Sequence, residues 1–73
     1  MITGAQIRTA RAALTWTIEE LAEKSGIAPN TVRRVERDGS IHQNDLRAIE
    51  YALKDAGVAF IDVGGRRTVV APG

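Results

Sequence analysis

The 73-residue sequence has no cysteine, one histidine, two prolines and three aromatic residues. Without cysteine there is no disulfide staple and no thiolate metal site. His42 has no second histidine and no carboxylate pair at ligand spacing, so no metal or other cofactor is expected and the residue reads as part of a loop. Ser25 and Ser40 form no nucleophile–base arrangement with His42, and no paired carboxylates stand at catalytic spacing. No catalytic residue is expected, and the chain reads as a non-enzyme. The apolar runs are a few residues long, which excludes a membrane-spanning helix. The opening Met1 to Gly4 lacks the basic stretch and apolar core of a secretion signal, so a soluble, cytoplasmic domain is expected. A composition of 44% hydrophobic and 26% charged residues is that of a folded globular chain. At this size folding buries only about 60% of the unfolded surface. Regular helices, a binding partner or oligomerisation must supply the margin that cysteines and a large core do not.

The net charge of +1 looks too small for a polyanion binder, but the charges are segregated. Residues 17–25 hold Glu19, Glu20 and Glu23 against Lys24. Residues 27–37 hold Arg33, Arg34 and Arg37 against Glu36. The local sign of a surface matters more to a partner than the total.

The first 57 residues divide into four short helices. Thr3 with Gln6, and Thr17 with Glu20, are spaced as capping boxes that open the first two. Ile7, Ala10 and Leu14 give the first helix a buried stripe at helical spacing. Trp16, just before the second cap, is placed to staple the entry against Leu21, and so reads as a core residue. Ile18, Leu21 and Ala22 face inward, and Gly26 is the expected left-handed stop. Pro29 suits the first turn of helix three, with Ala28 at its cap and Gly39 at its end. Val32 and Val35 point inward. Helix four is expected from about Asn44 to Ala56, with Leu46, Ile49, Ala52, Leu53 and Ala56 on one face. After Gly57 the pattern changes to β-formers. Val58 to Val63, the two-residue turn Gly64-Gly65 and Arg66 to Val70 predict a β-hairpin. Gly64-Gly65 is a turn with no phosphate-loop context. A lone hairpin is marginal in water, so this one should pack on the helices or pair with a second copy.

The informative segment is 17–39. Two helices joined by a tight turn at Gly26 leave Asn30, Thr31, Arg33, Arg34 and Arg37 on the outer face of the second, which suits the DNA major groove. Taken alone, that arginine face reads more readily as a solvated helix surface; the helix-turn-helix spacing around it favours base or phosphate contact. The positions of Leu21 and Ala22, Gly26 and Ile27, Val32, and Val35 to Arg37 resemble the helix-turn-helix of the phage-repressor and Cro-like (xenobiotic response element, XRE) family. The resemblance runs over about residues 3–57, and Ala52 to Asp62 is similar to small bacterial and phage members in which a strand follows the last helix. The fold expected is therefore mainly α, a compact four-helix domain over 1–57 followed by a short C-terminal β-hairpin over 58–73.

The resemblance implies roles for particular residues. Asn30, Arg33 and Arg34 would read base edges, each pair giving roughly 1–3 kcal/mol of discrimination. Thr17 and Thr31 would grip phosphates, with Arg37, Ser40, Gln43 and Asn44 adding backbone contacts on the flank. Arg11 and Glu36 would form the ion pair that ties helix one to the end of helix three. Ile18 and Pro29 depart from the family, standing where glutamine and another polar residue are usual. Contacts there become apolar or main-chain, with Pro29 packed against a thymine methyl.

Three classes of function were weighed on these residues. The leading expectation is a bacterial or phage transcriptional regulator that binds an inverted-repeat operator in double-stranded DNA as a homodimer. Its recognition helix covers about 29–37, and its dimer interface is formed by Phe60, Ile61 and Val63 of the hairpin with Tyr51 of helix four. Tyr51 reads equally well as simple helix packing, and Arg66 and Arg67 as DNA contacts or a solubilising edge. The alternative is an antitoxin-like or antiactivator-bound module whose hairpin docks a protein partner. That reading calls for Phe60 and Ile61 to stay exposed in the isolated chain. An enzyme is the third class, and the sequence supplies nothing for it.

Overall fold

The first two helices open on hydrogen bonds that short sequence motifs encode. In the computed structural model, which describes residues 2–38 and 42–72, the elements are α1 (Gly4–Ala13), α2 (Ile18–Ser25), α3 (Pro29–Asp38), α4 (Gln43–Asp55), β1 (Ala59–Val63) and β2 (Arg66–Val70). This is the four-helix arrangement with a C-terminal hairpin expected from the sequence. The expected stop at Gly39 and the phosphate contact at Ser40 lie outside the described residues. α4 starts at Gln43, so Gln43 and Asn44 belong to its first turn and His42 stands at its N-cap without a side-chain capping bond.

Both capping boxes form. The Gln6 N–H donates to Thr3 Oγ1 (3.2 Å) and the Thr3 N–H to Gln6 Oε1 (2.8 Å). At α2 the Glu20 N–H donates to Thr17 Oγ1 (3.1 Å) and the Thr17 N–H to Glu20 Oε1 (2.9 Å). Each box satisfies two donors that a helix start otherwise leaves open.

The far ends of α1, α2 and α4 share one geometry. Trp16 N–H returns to Arg11 O, Ile27 N–H to Ala22 O and Val58 N–H to Leu53 O, each at 3.0 Å. In all three the preceding residue is left-handed, as this closure requires: Gly26 (φ 70), Gly57 (φ 100) and, after α1, Thr15 (φ 58). The closure turns an apolar side chain back onto the protein. Trp16 and Ile27 pack against the core, and Val58 is part of it.

The core joins Ile2, Ile7 and Ala10 of the N-terminal segment, Leu21 and Ala22 of α2, Val32 and Val35 of α3, and Leu46, Ile49, Ala52 and Leu53 of α4. Ile2, which the periodicity of α1 does not include, is 5% exposed. Gly4 lets the start of α1 press directly on the last turn of α3. A Cβ there would run into the Val35 carbonyl oxygen and come within 2.9 Å of that of Glu36.

The hairpin pairs Ala59 with Val70 through Val63 with Arg66, closed by Gly64 (φ 58) and Gly65 (φ 80), the two positive φ values of a type I′ turn. The two-residue strand period sorts its side chains. Phe60 and Val69 pack against the helical core, while Ile61, Val63 and Val70 are exposed on the other face. The Gln6 side-chain amide donates to the Arg67 carbonyl at 2.9 Å. One side of the hairpin is thus held by α1, and no third strand joins the sheet among the described residues.

Two substitutions test these closures. A Gly→Ala change in a helix ordinarily gains roughly 0.5–1 kcal/mol. Gly4→Ala should instead lose about 1–3 kcal/mol, because the added methyl overpacks rigid main chain, and urea denaturation should show the midpoint falling. Thr15→Gly should act the other way. Relief of a left-handed β-branched residue, worth roughly 1–2 kcal/mol, exceeds the chain entropy glycine adds, about 0.4–1 kcal/mol. The net gain should be about 0.5–1 kcal/mol in the same measurement.

Candidate nucleic-acid interface

α3 has one buried and one exposed side. Val32 and Val35 are fully buried, because spacing of three places both on the stripe that meets α1 and α2. Pro29, Asn30, Arg33, Arg34 and Arg37 are exposed and Thr31 is half-buried. Leu21 and the small Ala22 are the buried residues of α2, and they let the two helices cross closely. The result is a positively charged ridge carried by a helix whose apolar side is anchored. Asn and Arg side chains on such a ridge can offer the donor and acceptor pairs that base edges require.

Not all of these side chains are equally available. Arg33 donates from Nη1 to Asn30 Oδ1 at 3.0 Å and from Nη2 to Glu19 at the start of α2. Among the described residues no ion pair joins Arg34. The sequence treats Glu19 as a helix-start charge, and its reach to Arg33 could be read only once the angle of the α2–α3 turn was known.

Thr17 is exposed at the N-cap of α2. Its Oγ1 accepts from Glu20 N–H, which leaves the hydroxyl proton for an outside acceptor such as a phosphate. Gln43 and Asn44 are exposed at the start of α4, where helix N–H groups favour an anion. On the hairpin, Arg66 is exposed and Arg67 is half-buried, with Nε 3.5 Å from Asp62 Oδ1 across the sheet.

Arg11 and Glu36 hold the ridge to the body of the protein. Arg11 Nε donates to Glu36 Oε2 at 2.7 Å and Nη2 to Oε1 at 3.1 Å, while Nη1 donates to the Trp16 carbonyl at 2.8 Å. The side chains are 18% and 7% exposed. The hydrogen bond to Glu36 holds the Arg11 guanidinium above its ordinary pKa, against the opposing effect of burial, with the charges of Glu36 and Glu19 assisting. Arg11 is therefore a permanent cation, and Glu36 needs it there.

Of the residues expected at a subunit interface, Ile61 and Val63 are 45% and 56% exposed and Tyr51 is 72% exposed. Phe60 faces inward instead, packed on its own chain's core. Tyr51 borders a groove of about 290 Å³ with Trp16, Lys24, Ala52, Asp55 and Ala56, at the lower limit for sites that enclose a drug-sized molecule. Lys24 Nζ sits 5.9 Å from the Trp16 ring centroid, a cation–π contact the sequence spacing does not reveal.

The helix-turn-helix family model matches residues 7–54, from the first buried turn of α1 to the last turn of α4. The chain belongs to the XRE helix-turn-helix family. No curated protein matches it. As an XRE-family protein it is a DNA-binding regulator, from a family that is not typically enzymatic. Among its described residues no helix is long and apolar enough to cross a membrane.

The clamp gives this XRE domain a clear mutational signature. Arg11→Met leaves Glu36 as a buried, unpaired carboxylate and should cost about 3 kcal/mol or more. Arg11→Met with Glu36→Leu removes both charges and should cost less than the sum of the two single changes. Urea denaturation of the four proteins measures the coupling.

Proposed function

We propose that this XRE-family protein is a sequence-specific transcriptional regulator that binds an inverted-repeat operator as a homodimer, with residues 29–37 of α3 in the major groove. The observation that carries the reading is the two-sided character of α3. Two fully buried valines fix its orientation, while Asn30, Arg33 and Arg34 stand exposed on it. Arg34 and Arg33 read guanine edges, Asn30 reads adenine and Pro29 meets a thymine methyl. Thr17, Thr31, Arg37, Gln43 and Asn44 hold the phosphates, and Ser40 is assigned the same role from the sequence.

A single helix-turn-helix offers a small footprint, and two copies spaced one DNA turn apart, about 34 Å, double it. The hairpin is the element suited to join them. Ile61, Val63 and Val70 are exposed together on its outer face, an apolar cluster on a two-stranded sheet that is costly to leave in water. Antiparallel addition of β1 to its two-fold mate gives a four-stranded sheet, which pairs the open strand edge and brings the two apolar clusters side by side on one face. The same exposed face supports the second reading, in which the hairpin docks a different protein. The inward packing of Phe60 removes that residue from either interface.

Selection of duplexes from a random pool by the purified protein, followed by fluorescence anisotropy on the selected and scrambled duplexes, tests the DNA-reading role. Arg34→Ala should lose about tenfold or more on the selected duplex and little on the scrambled one. Thr17→Ala should weaken both about equally. Equal losses from both changes would remove Arg34 from the base readers. For the dimer, Ile61→Glu with Val63→Glu should shift the sedimenting species from dimer to monomer. A wild-type protein that sediments as a monomer both free and on the selected duplex would transfer the hairpin face to a different partner.

A further inference from the structure

Glu19 is an acidic residue placed against the basic ridge. It is exposed at the second position of α2, yet its carboxylate accepts from Arg33 of α3, fourteen residues later. The same guanidinium donates to Asn30 Oδ1 at 3.0 Å. Three side chains from both helices of the motif thus form one network, and two of them are proposed base readers. Neither partner is buried: Arg33 and Glu19 side chains are 49% and 63% exposed, so the pair adds little to folding stability. A carboxylate that contributes little to stability and faces a surface meant for phosphates is a cost for affinity unless it has another effect.

We propose that Glu19 is a specificity-determining positioning residue: it holds Arg33 away from phosphates so that Arg33 contributes to binding only where a base edge meets it. The inference rests on the DNA-reading role of α3 proposed above. Its physical basis is competition. On arbitrary DNA an arginine's ordinary partner is a phosphate, which carries no sequence information. Glu19 offers Arg33 a tethered anion instead. Two of the five guanidinium N–H donors are occupied by Asn30 and Glu19, and three remain, enough for a bidentate contact with a guanine edge. An exposed pair is weak enough to tolerate or yield to that contact. On non-cognate DNA it keeps Arg33 from adding one more phosphate contact. Asn30, held through its Oδ1, is oriented by the same network while its amide donors stay free.

The test is a double-mutant cycle of Glu19→Ala and Arg33→Ala on the selected and a scrambled duplex, each titrated over a range of salt. Removing a negative charge raises affinity for any DNA, so the informative quantity is the ratio of the two affinities. Glu19→Ala should lower that ratio by about two- to fivefold, the upper range of an exposed ion pair, and should steepen the salt dependence on the scrambled duplex by about 0.9, one additional phosphate contact. In the Arg33→Ala background, Glu19→Ala should change neither the ratio nor the slope. Glu19→Gln, which keeps an acceptor and removes the charge, should fall between, and guards against any loss of helix α2 in the alanine variant. Equal gains on both duplexes, or the same change with and without Arg33, would overturn the proposal and reduce Glu19 to a repulsive surface charge. A wild-type protein that selects no sequence from the pool would overturn the DNA-reading role itself, and with it this inference.

Discussion

The guanidinium of Arg11 is the contact on which the position of α3, the proposed recognition helix, depends. Its three nitrogens bond two partners in different parts of the chain. Two hold Glu36 near the end of α3, and the third holds the Trp16 carbonyl in the turn from α1 to α2. The side chain thereby fixes the start of the helix-turn-helix and the end of its second helix against α1. Gly4 completes the arrangement by letting the first turn of α1 press on the main chain of Val35 and Glu36. Hydrophobic contact alone would hold α3 against the core but permit it to slide and rotate, since apolar attraction is non-directional. A bidentate ion pair and a main-chain contact without space for a methyl are directional. In a protein with so few core residues, such contacts set the angle at which the arginines of α3 project.

Local signals made most of this fold legible in the sequence. Thr3 with Gln6 and Thr17 with Glu20 define helix starts because the capping box requires those side chains at that spacing. Gly26 and Gly57 mark stops because the closing turn requires a left-handed residue. The same logic missed Thr15, which adopts that conformation after α1 without being glycine. There the constraint comes from outside the turn: Arg11 grips the Trp16 carbonyl and Trp16 packs on the core, so the geometry is imposed on whatever residue stands at position 15. A propensity argument reads what a residue prefers and cannot see what its neighbours enforce.

The candidate site was legible to a different depth. That α3 exposes Asn30, Arg33 and Arg34 follows from the helical period and from the two inward valines. Glu19 was hidden because its partner lies fourteen positions away and the contact exists only at one crossing angle of α2 and α3. The hairpin shows the same limit. Its strands and its Gly64-Gly65 turn are local, but which face packs is set by the helical core that Phe60 and Val69 meet, with Gln6 of α1 bonded to the Arg67 carbonyl beside it. Alternation separates Phe60 from Ile61; only tertiary contact decides which of the two is covered.

The near-zero net charge acquires a meaning from this arrangement. A strongly basic domain of this size would bind any duplex tightly, and the many non-specific sites of a genome would then titrate it away from its operator. Acidic residues on α2 beside basic residues on α3 oppose that background without removing the side chains proposed to read bases. The charge segregation visible in residues 17–37 thus has a physical rationale beyond marking a binding face. The carboxylates subtract from the sequence-independent term that every phosphate contact feeds. In the proposed function, the hydrogen-bonding groups of Asn30, Arg33 and Arg34 supply the term that depends on sequence. Subtracting a term common to every duplex leaves the ratio of affinities unchanged; discrimination rises only where a carboxylate holds an arginine away from phosphates, as proposed for Glu19 and Arg33.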